Sequence, residues 1–310
     1  MNNRSAYIIR RVLFLFPTLF VVYTLTFFLI HATPGGPWSQ GDKPVPPIVL
    51  KHLNEAYGLD KPVWRQYLDY LWNILHGDFG PSFSSRSQSV TDIIRETFPV
   101  SLQLGLLAMV IALSVGIPLG VLAALKHNSF FDYFSGFVSV LGISTPSYVA
   151  VSLLVLLLAN TLHLVPTGGW DGIWSTKAII PAIALALYPA AVLARYMRSS
   201  MLEVLSADYV RTARAKGLSS TTVIVGHALR NALLPVLTVS GIVLADVITG
   251  SFFVETVYQV PGIGRYFVDS ITKHDYPVIL GTVLLYGLVV AVMNLIVDLL
   301  YPLIDPRLSS

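Results

Sequence analysis

The stretch Phe98–Leu125, FPVSLQLGLLAMVIALSVGIPLGVLAAL, runs for 28 residues without a single Asp, Glu, Lys or Arg. A helix rises about 1.5 Å per residue, so about 20 such residues cross the roughly 30 Å of bilayer hydrocarbon. Working outward, the same property recurs. Val12–Ile30 is uncharged for 19 residues, Tyr133–Leu162 for 30, Ala178–Ala194 for 17 and Val278–Val297 for 20. A sixth window, Asn231–Val254, carries one charge, Asp246. Backbone amides have no water partner inside lipid, and these windows lack the alternation of outer-membrane strands. The expected fold is therefore all-α: a polytopic membrane protein with six transmembrane helices.

Composition agrees. Of 310 residues, 54% are hydrophobic and 12% charged, about half the charged share of a soluble domain. The net charge of +3 is too small to suggest a nucleic-acid partner. With no cysteine there is no disulfide or thiolate chemistry, and the seven histidines are too scattered for metal-ligand spacing. The first window follows Arg10 and Arg11 but exceeds the usual signal-peptide core, so an uncleaved first helix is expected. Eleven basic residues, Arg4, Arg10, Arg11, Lys126, Arg195, Arg198, Arg211, Arg214, Lys216, Arg230 and Arg307, share the N-terminal side. Only Lys177, Arg265 and Lys273 lie in the short loops opposite. By the positive-inside rule both termini are expected in the cytoplasm.

The chain divides into residues 1–30, a tail and first helix; residues 31–97, an extracytoplasmic loop; and residues 98–310, a core of five helices containing a long cytoplasmic loop, 195–230. In the outer loop, Pro46–Tyr57 and Pro62–Leu75 read as amphipathic helices, because Trp64, Leu68, Leu71, Trp72 and Leu75 recur at helical spacing. The segment is either a lid lying on the membrane surface or a docking surface for an external partner. In the cytoplasmic loop, Ser206 or Asp208 is suited to cap a short helix over Tyr209–Lys216, which Gly217 ends. Arg211 and Arg214 share one face of it, and Tyr209, Ala213 and Lys216 another. Spacing alone leaves this helix as either a headgroup-resting basic element or a contact for a partner.

Inside the membrane, breakers are expected to interrupt helices: Gly116, Pro118 and Gly120 in the second, Ser144-Thr145-Pro146-Ser147 in the third, Pro181 and Pro189 in the fourth, Gly241 and Gly250 in the fifth. Asp246 costs roughly 2.5 to 3.5 kcal/mol at mid-membrane, so it is expected in a water-filled pathway or an interhelical hydrogen bond. Glu255, Asp269 and Asp275 lie near the outer mouth, exposed in loops or facing a substrate amine or a docking protein. The chain holds no Gly-x-x-x-x-Gly-Lys-Ser/Thr phosphate loop, no Gly-x-Ser-x-Gly elbow and no His-Glu-x-x-His pair. Gly262-Ile263-Gly264 has Phe267 at the third glycine position of a dinucleotide fingerprint. An enzyme is not expected.

The segment Asp208-Tyr209-Val210-Arg211-Thr212-Ala213-Arg214-Ala215-Lys216-Gly217-Leu218, followed by His227-Ala228-Leu229-Arg230-Asn231-Ala232-Leu233-Leu234-Pro235, resembles the cytoplasmic coupling loop of ATP-driven importer permeases. More narrowly it is similar to the B-type permease of the oligopeptide and dipeptide (peptide/nickel) ABC importers. Supporting stretches are Thr33–Pro37, His76–Gly80, Pro261–Gly264 and Asp298–Arg307. Of the general Glu-Ala-Ala-x-x-x-Gly signature only Ala213 and Gly217 match, and Leu234-Pro235 lies further downstream, departures that peptide-type permeases share.

This resemblance implies a type I ABC-importer permease in a bacterial-type inner membrane, working by alternating access. Its implied partners are a second, homologous permease, two ATP-binding subunits that hold ATP and Mg, an extracytoplasmic substrate-binding protein, a peptide substrate and membrane lipid. No cofactor is implied in this chain. Tyr209, Arg211, Thr212, Ala213, Arg214, Ala215, Lys216 and Gly217 would couple to the ATPase. Ser144, Thr145, Tyr188 and Asp246 are candidates for the translocation pathway, and Asp78, Phe79, Phe83 and Glu255 for binding-protein docking. A same-fold importer of nickel or another small solute, and an intramembrane enzyme, are the alternatives.

Overall fold

The computed structural model describes residues 3–38, 46–85, 87–249 and 252–304. Gly250 and the terminal Asp305–Arg307, named above, lie outside them. Five long apolar helices are found: α1 (Asn3–Ala32), α4 (Val90–Leu125), α7 (Ile179–Ser206), α9 (Arg230–Thr249) and α12 (Tyr276–Ile304). The sixth span is broken. α5 (Phe130–Ser144) and α6 (Ser147–Leu154), the latter continued by π-helical Val155–Thr161, meet at 106°.

The break has a local cause. Pro146 supplies no N–H, and its ring pushes the preceding residue out of the helical region, so Thr145 is extended at φ −91°, ψ 114°. Elsewhere the expected interruptions do not occur. α4 runs through Gly116, Pro118 and Gly120, α7 through Pro189 with Pro181 in its first turn, and α9 through Gly241. Packing overrides the local preference. A Cβ at Gly116 would lie 2.6 Å from the Ala190 carbonyl oxygen, and one at Gly120 2.5 Å from that of Ala194. These glycines let α4 and α7 approach backbone to backbone, the most extensive helix contact in the molecule.

The main core lies where α4, α7 and α9 meet, around Leu104, Ala108, Leu193, Met197 and Val236. α12 packs on both α9 and α1. At one end of the bundle lie α2 (Pro47–Ala56) and α3 (Val63–Leu75), close to their predicted bounds. α3 lays Tyr67, Leu71 and Ile74 against Tyr23 and Phe27 of α1 and Leu280 of α12. The same end carries two short helices between α9 and α12, α10 (Phe252–Tyr258) and α11 (Ile263–Thr272). The opposite end carries α8 (Asp208–Ala215).

Candidate functional site

α8 leaves α7 through Ala207, whose backbone is extended (φ −68°, ψ 148°) and which has no capping side chain. Neither Ser206 nor Asp208 is the cap. Ser206 bonds back to the Glu203 carbonyl, and Asp208 sits in the first turn, where its charge suits the helix dipole. The C-terminus closes in a Schellman motif: Gly217 N donates to Arg214 O at 3.0 Å and Leu218 N to Ala213 O at 3.3 Å. Gly217 adopts φ +77°, which a Cβ would strain.

Val210 and Ala213 face inward and pack with Val223 and Val204. Ala213 therefore shares the buried face with Val210, and the small residue left outside is Ala215. Tyr209, Arg211, Thr212, Arg214, Ala215, Lys216 and Gly217 are exposed. A second tie fixes the helix to the next span, since Asn231 of α9 donates from Nδ2 to the Tyr209 hydroxyl at 3.1 Å and to the His227 carbonyl at 2.9 Å. α8 is thus a short element joined to α7 by one residue and to α9 by one side-chain bond, with its basic face presented to solution. Movement of α8 must displace both spans.

Of the pathway candidates, Ser144 and Thr145 close α5, exposed and half-buried, and Tyr188 is exposed on α7. Gly142, two residues before Ser144, sits so close to α7 that a Cβ would lie 3.0 Å from the Leu187 carbonyl oxygen. Thr145 donates to the Leu141 carbonyl at 2.7 Å. Asp246 is separate. It lies on an uncovered stripe of α9 with Pro235 and Ile242.

The docking candidates divide differently. Asp78 is exposed and its Oδ1 accepts from Gly80 N at 2.8 Å. Phe79 is half-buried between two clusters, one on α1 and α12, the other on α4 and α11. Phe83 is half-buried in an aromatic group, 5.0 Å from the Tyr57 ring and 5.5 Å from Trp38. Glu255 is no surface residue. It is fully buried, and its Oε2 accepts from Gly264 N at 2.8 Å, tying α10 to the start of α11. Asp275 is likewise buried, not in an exposed loop. Its Oδ2 accepts from Ser82 Oγ at 2.6 Å, from Ser84 N at 2.9 Å and from Ser84 Oγ. Asp269 is exposed and lies 3.9 Å from Lys273.

A cluster the sequence reading missed sits at the α8 end. Buried Asp132, in the first turn of α5, accepts from Arg198 Nη2 at 2.9 Å and Asn128 N at 3.0 Å, with His127 Nδ1 at 3.1 Å. The signal was an acid bordering an apolar window, on the side richest in bases. Among the described residues, no three His, Asp or Glu side chains are grouped to hold a metal.

Residues 116–310 match the family described as binding-protein-dependent transport system inner membrane component, and residues 5–105 its N-terminal counterpart. The chain is 46% identical to the dipeptide transport system permease protein DppB of Bacillus subtilis, with 98% of both chains covered. It is 43% identical to the oligopeptide transport system permease protein OppB of Haemophilus influenzae, over 97% of this chain and 98% of that one. In fold it is similar to inward-facing structures of the MetNI methionine ABC transporter, at TM-score 0.59 and 15% identity, covering 69% of this chain and 96% of that one. Five long apolar helices, a sixth broken at a proline and full-length matches of this kind lead to one conclusion: the chain belongs to the multi-pass inner-membrane permeases of binding-protein-dependent transport systems.

Proposed function

We propose that this chain is one of two permease halves of an ATP-driven importer of oligopeptides or dipeptides. The observation that carries the cargo class is the identity of 46% and 43%, over nearly the whole chain, to permeases named for dipeptide and oligopeptide transport. The partners are a second, related permease, two subunits that bind ATP with Mg, and an external binding protein that delivers peptide. Both termini and α8 face the cytoplasm, in accord with the excess of basic side chains on that side.

In this reading α8 seats in a groove of the ATPase. Exposed Ala215 permits close approach, and Arg211, Arg214 and Lys216 meet acids at the groove's rim. When ATP draws the two nucleotide-binding subunits together, α8 moves and carries α7 and α9 with it, so the pathway opens outward; when they separate it opens inward. Ser144, Thr145, Tyr188 and Asp246 face that pathway. An uncovered carboxylate on α9 suits a cargo with an ammonium terminus.

The test is uptake of labelled dipeptides and oligopeptides into liposomes holding the complete transporter, with nickel chelates as competing cargo. ATP-dependent peptide accumulation is expected. Accumulation of the chelates without peptide would replace this reading with the small-solute importer, and turnover of a substrate by the chain alone would replace it with an enzyme.

A further inference from the structure

α3 has three distinct faces. One, with Tyr67, Leu71 and Ile74, is packed on α1 and α12. A second, polar, carries Gln66, Asp69 and Asn73 and lines an open cavity of about 340 Å³. The third carries Trp64, Leu68, Trp72 and Leu75, all more than half exposed. A helix divided this way sits naturally at a boundary between water and hydrocarbon.

The depth at which α3 is held decides what covers the third face. The apolar part of α1 runs from Val12 to Ala32, with Arg10 and Arg11 directly before it. Those 21 residues make about 30 Å, just the hydrocarbon thickness, so the arginine side pins one end and Ala32 reaches the other. Tyr23 lies nine residues, about 13 Å, inside Ala32. Its hydroxyl donates to the backbone carbonyl of Tyr67 at 2.6 Å, and the Tyr67 hydroxyl lies 2.8 Å from Thr24 Oγ1. The middle of α3 is therefore fastened well below the outer limit of α1, at the depth of one leaflet. There its third face adjoins the uncovered apolar face of α1 at Phe28, whose ring stacks on Tyr67 at 5.7 Å. α3 continues that uncovered face of α1.

We propose that α3 is a half-inserted interfacial helix whose Trp64, Leu68, Trp72 and Leu75 contact the acyl chains and headgroup boundary of the leaflet on the α2–α3 side. This is the outer leaflet in the orientation proposed above. Its polar face lines the water-filled cavity, so α3 separates lipid from the vestibule beside the mouth of α12.

The chain has no cysteine, so a nitroxide attaches only where one is introduced. Labels at Leu68→Cys, Leu75→Cys and Asp69→Cys, placed singly in the full chain and assembled with cysteine-free partner subunits in liposomes, report their surroundings. At Leu68 and Leu75, relaxation by oxygen, which concentrates in lipid, is expected to exceed relaxation by water-soluble chromium oxalate. At Asp69 the order is reversed. Two results at Leu68 and Leu75 would overturn the proposal. Stronger relaxation by chromium oxalate puts the face in water, and shielding from both reagents puts it under a protein partner. Leu68 and Leu75 are exposed and Asp69 is half-buried, and retained ATP-dependent transport in each variant certifies the fold. The readout does not depend on which cargo is moved.

Discussion

Arg198 of α7 grips Asp132 of α5 through Nη2 and Oδ2 at 2.9 Å, joining the α4–α5 turn to the helix that runs on, one residue after its end, into α8. The pair lies at the end of the bundle where force from a motor subunit would enter. Its carboxylate is buried while its guanidinium remains one-third exposed, so solvent screens part of the attraction.

Asp132→Ala is expected to lower the stability of the solubilised permease by about 1–3 kcal/mol, because it strands a charged donor. Reversing both charges, with Asp132→Arg and Arg198→Asp, should recover part of that loss if the contact itself matters. Thermal melting of the purified complex measures both variants.

Two substitutions on opposite faces of α8 separate folding from attachment. Ala213→Leu crowds the cluster of Val210, Val223 and Val204 and should cost about 1–3 kcal/mol while displacing the helix. Ala215→Leu and Arg214→Glu alter only the exposed side, so the chain should insert and melt as before. Yield of ATPase subunits in the purified complex, or coupling of hydrolysis to uptake, should fall in both. Unchanged yield and transport in Arg214→Glu would remove α8 as the coupling element.

Glu255→Ala leaves the Gly264 amide without its buried acceptor and should destabilise the α10–α11 elbow by about 1–3 kcal/mol. Glu255→Gln keeps an acceptor oxygen and is expected to be milder. Limited proteolysis at the α2–α3 end of the bundle, compared across the two variants, reads the difference.

Asp246→Leu should ease insertion of α9, by roughly 2.5–3.5 kcal/mol on insertion scales for a central position, yet reduce peptide uptake. Normal uptake would take Asp246 out of the pathway. Measuring membrane-integrated protein alongside transport keeps the two effects apart.

Much of this architecture is legible in the sequence because a bilayer imposes a one-dimensional rule: five uncharged windows and a sixth with the single charge of Asp246 marked the spans, and the periodicity of Trp64, Leu68 and Leu75 marked α3. The end of α8 was legible too, since Gly217 answers a local backbone demand. Partners distant in sequence were not. Asp275 is satisfied by Ser82 and Ser84, more than 190 residues away, and nothing near it announces a buried acid. Glu255 had a fainter sign. A Cβ at Gly262 would lie 2.3 Å from its carboxylate and one at Gly264 2.8 Å, so the Pro-Gly-Ile-Gly run is shaped around it. Pro118 misled because local stiffness predicts a kink, whereas two glycines facing α7 keep α4 continuous.

The elbow at Thr145 has a consequence for how the wall of the bundle is built. α5, with 15 residues, stands only about 22 Å tall, short of the bilayer's apolar depth. The rest of that side is closed by α6 lying crosswise, like a sill under a window. A crosswise piece shifts by sliding, without tilting a membrane-long rod, and Ala150 and Val151 carry any such slide straight into the main core.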